Sequence, residues 1–435
     1  MEDKYIVALE VGSSKISGAI GSVDPDGILT VKAVEEEPMI DCVRYGQLSN
    51  IKVAADVAER ILRKIENRMS PRKVKAVYVA IGGRSLCSQA TSVERRLSAE
   101  TEVTADLLDR LNLEARTAAA TDRDILDVVP REYIVDNTRA ERPEGMYCSD
   151  IRMDANLIVC RPQLKRNLDL LVDEKLARTT AGYIVRPLAE AALVLTPDER
   201  KLGCMMVDLG AETTSVAIYR QGALQYLATL PLGSRNITRD LTTLGRVEED
   251  AEEIKKTNGN ANPGADAGEA MSIPDVNNLV SHRAAEIIAN IKEQLKYAGF
   301  TPSELAGGIV LVGRGAKLTG FSARLEKETG MRVRSGSAMS SDVRIGESRI
   351  SPSDTVDVIS ILLAASRNPV ECLTPPERKP ELEVIEEEPE PEHVAEKRSG
   401  GLRGIFTKIG TFIKETTTEP AEDDDDLFDD REDDR

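Results

Sequence analysis

The chain has 435 residues, of which 57 are Lys or Arg and 75 are Asp or Glu, so its formal net charge is −18. This length is enough for two or three domains, because a single core stops growing at roughly 250–300 residues. The acidic balance argues against a nucleic-acid-binding protein, since phosphate contacts need a basic surface. The cysteines include no C-x-x-C pair, so the sequence predicts neither a zinc site nor a disulfide framework.

The sequence contains no pattern that would span a membrane. No apolar run reaches the roughly 18 residues that a spanning helix needs. The N-terminal residues lead directly into a strand pattern and lack the basic region and the apolar stretch of a signal peptide. We therefore expect a cytoplasmic protein with reduced thiols, whose membrane contact is peripheral.

The first half of the chain begins with a strand, a glycine turn and a second strand. The first strand covers residues 5–9 and the turn residues 12–14. Apolar residues then recur every four positions over residues 53–65, which predicts an amphipathic helix. Residues 74–81 read as another strand. From residue 85 to residue 161 the pattern changes to charged helix and short strand segments, which we interpret as an inserted subdomain.

A hairpin of the same order opens the second half. In both places an apolar strand is followed by an acid, an apolar residue, a glycine and a second strand. The acid and the glycine are Glu10 and Gly12 in the first half, and Asp208 and Gly210 in the second. Two such copies predict two related lobes rather than a solenoid, whose repeat would be roughly 20–50 residues long.

The acid and the glycine of such a hairpin suit a metal–phosphate group. Glycine lets backbone N–H groups approach phosphate oxygens, and an acid at the strand end can hold Mg²⁺ or its waters. We therefore predict that Glu10 and Asp208 hold Mg²⁺ through water. A third segment, an apolar strand that ends in Gly313, Arg314 and Gly315, would let the backbone pack against an adenosine.

At these residues the sequence resembles the actin, Hsp70 and sugar-kinase superfamily and, within it, the FtsA family. The resemblance implies an α/β, actin-like two-lobed ATPase fold with a duplicated core and an inserted FtsA-type subdomain. It also implies ATP and Mg²⁺ as cofactors, with two residues of one helix beside the ribose and the adenine. The positions that match the nucleotide-binding motifs are Glu10, Gly12, Ser13, Ser14, Lys15, Asp208, Gly210, Ala211, Thr213, Thr214, Gly233, Glu252, Lys255, Gly313, Arg314 and Gly315.

Some of these positions depart from the family pattern. Glu10 stands where the family usually has Asp, Arg314 where it has glycine, and Ala211 with Glu212 where it has small glycine residues. We expect these side chains to narrow the space around the phosphate and the sugar. No residue has the setting of an efficient general base, so the catalytic residues stay unassigned. The sequence therefore predicts ATP binding with at most slow hydrolysis.

The resemblance and the composition together divide the chain into domains. After residue 375 the sequence is rich in Pro and Glu, too polar to bury a core, and is expected to be disordered. The predicted boundaries are 1–84, 162–202 and 352–374 for lobe 1 (subdomain 1A), 85–161 for the inserted subdomain 1C, 203–351 for lobe 2 (subdomains 2A and 2B, the latter at about 230–303), 375–400 for the linker, 401–417 for an amphipathic helix and 418–435 for an acidic tail.

The segment 401–417 has the pattern of an amphipathic helix. An isolated short helix is marginal in water and needs a surface on which to fold. Because a disordered linker precedes this helix and an acidic tail follows it, we expect it to bind an anionic membrane rather than the core of its own chain. The side chains expected to contact the membrane are Leu402, Ile405, Phe406, Ile409, Phe412, Ile413, Arg403, Lys408 and Lys414.

The resemblance implies a cell-division adaptor. Such a protein binds ATP, self-associates into filaments and anchors filaments of the tubulin-like protein FtsZ to the inner face of the cytoplasmic membrane at the division septum, where downstream division proteins join it. Two alternatives stay open. One is an actin-fold small-molecule kinase, which needs a second-substrate site between the lobes. The other is an ATP-binding membrane-complex adaptor such as PilM, which lacks the terminal helix.

Overall fold

The computed structural model describes residues 3–39, 42–118, 122–264, 273–347 and 349–375. Apart from residue 375, the linker, the amphipathic helix and the acidic tail predicted from the sequence lie outside these residues. Within them, strands and helices alternate along the chain, as the α/β prediction requires.

The elements are numbered here in chain order. The strands are β1 Lys4–Val11, β2 Lys15–Val23, β3 Leu29–Pro38, β4 Val43–Arg44, β5 Gln47–Leu48, β6 Ala76–Ile81, β7 Cys87–Glu102, β8 Asp124–Val135, β9 Thr138–Ala140, β10 Tyr147–Cys160, β11 Thr179–Val185, β12 Cys204–Leu209, β13 Thr214–Arg220, β14 Ala223–Leu230, β15 Ile309–Val312, β16 Val333–Ser335 and β17 Val343–Ile345. The helices are α1 Ile51–Arg68, α2 Ala105–Ala118, α3 Pro162–Asp169, α4 Arg186–Val194, α5 Pro197–Leu202, α6 Ser234–Thr242, α7 Glu248–Asn258, α8 Ile273–Tyr297, α9 Phe321–Thr329 and α10 Val356–Ser366.

Two sheets repeat one topology, which confirms the predicted duplication. The first sheet has the order β11-β6-β1-β2-β3-β17, in which β1, β2 and β3 are antiparallel neighbours and β6 runs parallel to β1. The second contains the order β16-β15-β12-β13-β14, in which β12, β13 and β14 are antiparallel neighbours and β15 runs parallel to β12. The central strands β1 and β12 therefore hold equivalent places.

Helix α1 packs on the first sheet through the apolar stripe that its sequence predicts. The Asn50 side chain accepts a hydrogen bond from the Val53 N–H and caps the N-terminus. Ile61 and Ile65 are fully buried on the packed face. Gly18 of β2 makes this close approach possible, because a Cβ there would lie 2.5 Å from a methyl carbon of Ile61.

The inserted region forms a sheet of long antiparallel strands, so the expectation of short strand segments is wrong. Strand β7 has 16 residues, β8 has 12 and β10 has 14, and α2 packs against them. Along β7 partly buried and exposed residues alternate, because one face of the sheet meets solvent and carries charged side chains. Cys87 and Val159 are paired, so the two ends of the insertion are adjacent.

The inserted sheet is also joined to the second half of the chain. Strand β7 pairs with β14, with Cys87 opposite Ala228, and this extends the second sheet by β7, β10, β8 and β9. The Asn156 amide donates a hydrogen bond of 2.8 Å to the Leu224 carbonyl oxygen across the same junction. The insertion thus interrupts the first half of the chain, but its strands are hydrogen-bonded to the sheet of the second half.

A pair of leucines on α2 tests whether the insertion has a core of its own. Leu111 is fully buried with residues of β8 and β10, whereas Leu113 is 60% exposed on the same helix. Leu111→Ala should lower the free energy of unfolding by about 2–5 kcal/mol, since it leaves a cavity. Leu113→Ala should change it by less than about 0.5 kcal/mol. Denaturant titration measures both, and equal effects would contradict the burial described here.

Candidate nucleotide site at the two hairpins

The two glycine hairpins close in the same way. The Gly12 N–H donates to the Lys15 carbonyl oxygen at 3.0 Å, and the Gly210 N–H donates to the Thr213 carbonyl oxygen at 2.9 Å. In each hairpin the acid lies two residues before the glycine, at the last position but one of a buried strand. The sequence repeat is therefore a repeat of backbone geometry.

Two of the cavities beside the hairpins also reach the segment that follows β15. The smaller has a volume of about 70 Å³, and the larger has a volume of about 700 Å³. They share the wall residues Ser14, Lys15, Ala211 and Arg314, so they are neighbouring parts of one cleft. The larger volume lies within the range of roughly 300–1,000 Å³ that small-molecule sites occupy.

Most of the residues predicted to bind nucleotide line these cavities. On the smaller cavity are Glu10, Gly12, Ser13, Ser14, Lys15, Asp208, Gly210, Ala211, Thr213, Gly313 and Arg314. On the larger cavity are Ser14, Lys15, Ala211, Glu252, Lys255, Arg314 and Gly315. Residues from both hairpins, from α7 and from the end of β15 thus meet at one cleft.

Two of the predicted residues lie off the cavity walls. The Thr214 hydroxyl donates to the Leu232 carbonyl oxygen at 2.7 Å, inside the second sheet. Gly233 packs directly against the second hairpin. A Cβ at this position would lie 2.4 Å from the Ala211 carbonyl oxygen, so only glycine fits. That oxygen also accepts a hydrogen bond of 2.7 Å from the Arg235 N–H. Gly233 therefore allows α6 to approach the hairpin.

Glu212 narrows neither cavity, contrary to the expectation from the sequence. Its buried carboxylate accepts hydrogen bonds from the Tyr45 N–H at 2.6 Å and from Arg239 at 2.5 Å. Tyr45 lies in the turn between β4 and β5, so Glu212 ties the second hairpin to the first half of the chain. Glu212, which departs from the family pattern, therefore has a structural role.

Arg186, which joins the two hairpin acids, was not among the residues predicted from the sequence. This residue begins α4, and its guanidinium donates to Glu10 Oε1 at 3.0 Å and to Asp208 Oδ2 at 2.8 Å. Its Nε lies 3.6 Å from Glu190 Oε1. The Arg186 side chain is 13% exposed, and none of its three partners exceeds 5%. No local pattern marks a single arginine before a helical proline as part of a site.

Burial controls the protonation of this cluster. It raises the pKa of Glu10 to about 7, and the attraction of Arg186 opposes this only in part. Burial also raises the pKa of Asp208 and lifts the pKa of Glu190 well above its usual range. For Arg186, burial works against the charged form, but Asp208 and Glu190 outweigh it, so its pKa is raised. The guanidinium stays charged, whereas the carboxyl groups retain protons more readily than in water.

The predicted contact of Glu10 and Asp208 with Mg²⁺ through water would have to share these carboxylates with Arg186. Mg²⁺ requires oxygen ligands in near-octahedral geometry, whereas both of these carboxylates are paired with Arg186, which cannot lose its charge. In the part of the chain that the structure describes, no group of three or more Asp, Glu, His or Cys side chains could hold a metal ion.

Two further basic residues on the cavity walls are paired with acids. Lys15 contacts Asp357 at 2.9 Å and also contacts Glu36, which in turn contacts Arg314. Burial disfavours the charged form of Lys15, but Asp357 and Glu36 outweigh it, so the pKa of Lys15 is raised. Glu36 thereby links β3 to the segment that follows β15. Both basic groups could turn from this carboxylate to an anionic ligand.

The larger cavity has an ion pair on its wall, formed by the two residues predicted to flank the ribose and the adenine. The Lys255 ammonium donates to Glu252 Oε2 at 2.6 Å and to the Thr238 hydroxyl at 3.0 Å. Burial lowers the pKa of Lys255. Burial would raise the pKa of Glu252, but the Lys255 charge outweighs it and the pKa of Glu252 is lowered. The pair is therefore fixed by hydrogen bonds within the protein.

Comparison with known proteins supports the resemblance seen in the sequence. Residues 205–356 match the family described as "Cell division protein FtsA", and residues 83–159 match the "SHS2 domain inserted in FTSA". The cell division protein FtsA of Porphyromonas gingivalis is 33% identical over 337 residues, which cover 74% of this chain and 70% of that relative. The cell division protein FtsA of Escherichia coli K12 is 28% identical over 363 residues, which cover 77% of this chain and 84% of that relative.

The fold of this chain is also similar to that of a solved structure. The PilM–PilN type IV pilus biogenesis complex matches with a TM-score of 0.60 at 16% identity, over 83% of this chain and 98% of that chain. At this identity the likeness shows the actin-like fold alone. The sequence identity to the relatives extends over most of both chains, and with the two family matches it shows that this chain belongs to the FtsA family of cell division proteins.

Proposed function

We propose that this cell division protein is an ATP-binding adaptor, which self-associates into filaments and anchors FtsZ filaments to the cytoplasmic face of the membrane at the division site. The observation that carries the nucleotide part is the convergence of both hairpins, α7 and the end of β15 on two adjoining cavities. In this proposal the protein acts by binding its partners and by assembling into filaments.

The proposed pose places adenosine in the larger cavity and phosphates towards the hairpins. Gly315 lies on the wall of this cavity, and the ion pair of Glu252 with Lys255 supplies polar partners there. At the other end Gly12 and Gly210 let phosphate oxygens approach the turns. The positive charges for the phosphates come from basic residues on the shared wall.

Slow turnover follows from the state of the acids. On the described walls of the smaller cavity, Glu10, Asp208 and Glu190 all lie against Arg186, and Asp357 pairs with Lys15. Because Arg186 and Lys15 hold these carboxyl groups, none of them is free to orient an attacking water towards a phosphate. Efficient enzymes turn over at about 10 s⁻¹, and we propose a rate far below that for this site.

Membrane contact is assigned to the segment 401–414. None of the helices that the structure describes is long and apolar enough to cross a membrane. The segment itself lies outside the described residues, and its six apolar side chains at helical spacing support the assignment. FtsZ and the anionic lipid surface are thus the proposed partners at the membrane, with downstream division proteins as further ones.

The first test of nucleotide binding uses Ala211, which lies on the wall of both cavities. Titration calorimetry with ATP should give a micromolar or tighter dissociation constant for the parent. Ala211→Leu fills the passage between the cavities and should weaken binding at least about tenfold, or about 1.4 kcal/mol. Ala223→Leu, at the start of β14, lies on neither cavity and should bind like the parent. Equal affinities for all three proteins would contradict the proposed pose.

The second test removes the insertion. Replacing residues 85–160 by a short flexible linker should leave ATP affinity nearly unchanged, because no wall residue of either cavity lies in this range. The adjacency of Cys87 and Val159 makes the junction easy to close. Filament formation, followed by sedimentation and electron microscopy, should be lost. A soluble and folded deletion that no longer binds ATP would place the insertion in the nucleotide site.

The third test concerns the membrane segment. Burying one large apolar side chain contributes up to about 1.5–3 kcal/mol, so replacing Phe406 and Phe412 by Glu should abolish co-sedimentation with anionic liposomes. Lys408→Ala with Lys414→Ala should reduce binding in part, and more so at high salt, because surface attraction is screened.

The charge-neutral comparison for this test is Phe406→Leu with Phe412→Leu, which keeps the apolar face and should pellet with the liposomes. If the double Glu variant also pelleted like the parent, the segment would be packing on protein, and the membrane half of the proposal would fail.

A further inference from the structure

Arg186 places a fixed positive charge between acids from the two hairpins. Its terminal nitrogens lie 3.0 Å from Glu10 and 2.8 Å from Asp208, and Glu190 is the third acid beside it. The three carboxyl groups are buried and the Arg186 side chain is 13% exposed, so these contacts differ from ion pairs on an open surface. The cluster lies on the wall of the smaller cavity, next to the hairpin turns.

Arg186 takes one oxygen of each acid, Glu10 Oε1 and Asp208 Oδ2. A divalent cation would have to use the remaining oxygens, close to the guanidinium, while keeping the octahedral geometry that Mg²⁺ requires. A guanidinium cannot be deprotonated to make room, and two cations side by side repel each other. Metal and Arg186 therefore compete for the negative charge of the same two acids.

The guanidinium can itself serve a phosphate. Its planar array of donors matches phosphate oxygens, and it is less strongly hydrated than an ammonium group. Its Nε–H has no hydrogen-bond partner among the described residues, although it lies near the acidic Glu190. Lys15 and Arg314 lie on the same wall, and each would have to turn from its acidic partner to meet a phosphate.

From this arrangement we propose that Arg186 stands in for the divalent cation, and that the cleft binds the nucleotide as its metal-free polyphosphate anion. The inference rests on the proposed nucleotide function and gives it a specific ligand form. It assigns Arg186 a contact with the phosphates, with Glu10 and Asp208 as the carboxylates that hold the guanidinium in position.

The experiment measures ATP affinity of the full chain by calorimetry, once with EDTA and once with excess Mg²⁺. For the parent, the dissociation constant in EDTA should equal or lie below the value in Mg²⁺, because the metal competes for the free anion. Arg186→Gln frees both acids and removes a phosphate contact. Its affinity in EDTA should fall at least about tenfold, and Mg²⁺ should now strengthen binding.

Two further variants separate charge from folding. Arg186→Lys keeps the positive charge without the planar fork, and it should retain metal-independent binding at reduced affinity. Arg334→Gln removes an exposed arginine that pairs with Glu199 away from both cavities, and it should behave like the parent. Thermal unfolding of each variant reports whether the fold is kept.

The outcomes are distinct. A parent that loses at least about tenfold in affinity when Mg²⁺ is removed would overturn the inference, and this result needs no variant. Equal metal dependence in the parent and in Arg186→Gln would also overturn it. ATP binding that requires Mg²⁺ leaves the nucleotide function standing without this ligand form, whereas absence of ATP binding by the parent under both conditions would remove the function and the inference together.

Discussion

The guanidinium of Arg186 has little contact with water, so its charge has to be balanced by carboxylates that reach it from both halves of the chain. Glu10 comes from the first hairpin and Asp208 from the second. Taking one partner away from a buried ion pair costs about 3–5 kcal/mol, because a charge is then left without compensation. Arg186 therefore joins the two hairpins directly, on the wall of the smaller cavity.

The repeated topology is what brings the two acids to one place. Strand β1 lies between β6 and β2, and β12 lies between β15 and β13, so the hairpins leave equivalent central strands of two similar sheets. Helix α4 begins directly after β11, the edge strand of the first sheet, and this connection delivers Arg186 to the meeting point. Two further contacts between the halves, Glu212 with Tyr45 and Glu36 with Arg314, lie near the same region.

Local patterns were enough to predict the hairpins, helix α1 and the duplicated core, because their signals come from neighbouring residues. The pairing of Arg186 with Glu10 joins positions 176 residues apart and has no periodic signature, so the sequence could not indicate it. The long strands of the insertion were missed because their solvent face carries charges that resemble a helix or a loop. Glu212 was misjudged since its partner, Tyr45, belongs to the other half of the chain.

The junction of β7 with β14 has a mechanical consequence. The insertion leaves the first half through the short segment between β6 and β7, yet its sheet continues that of the second half from Ala228 onwards. A rotation of the halves about the cleft would turn the insertion with the second sheet and strain its two covalent connections. The insertion would act as a lever arm, converting a small change of angle at the cleft into a larger displacement at its outer edge, β9, where it would alter the surface offered to neighbouring molecules.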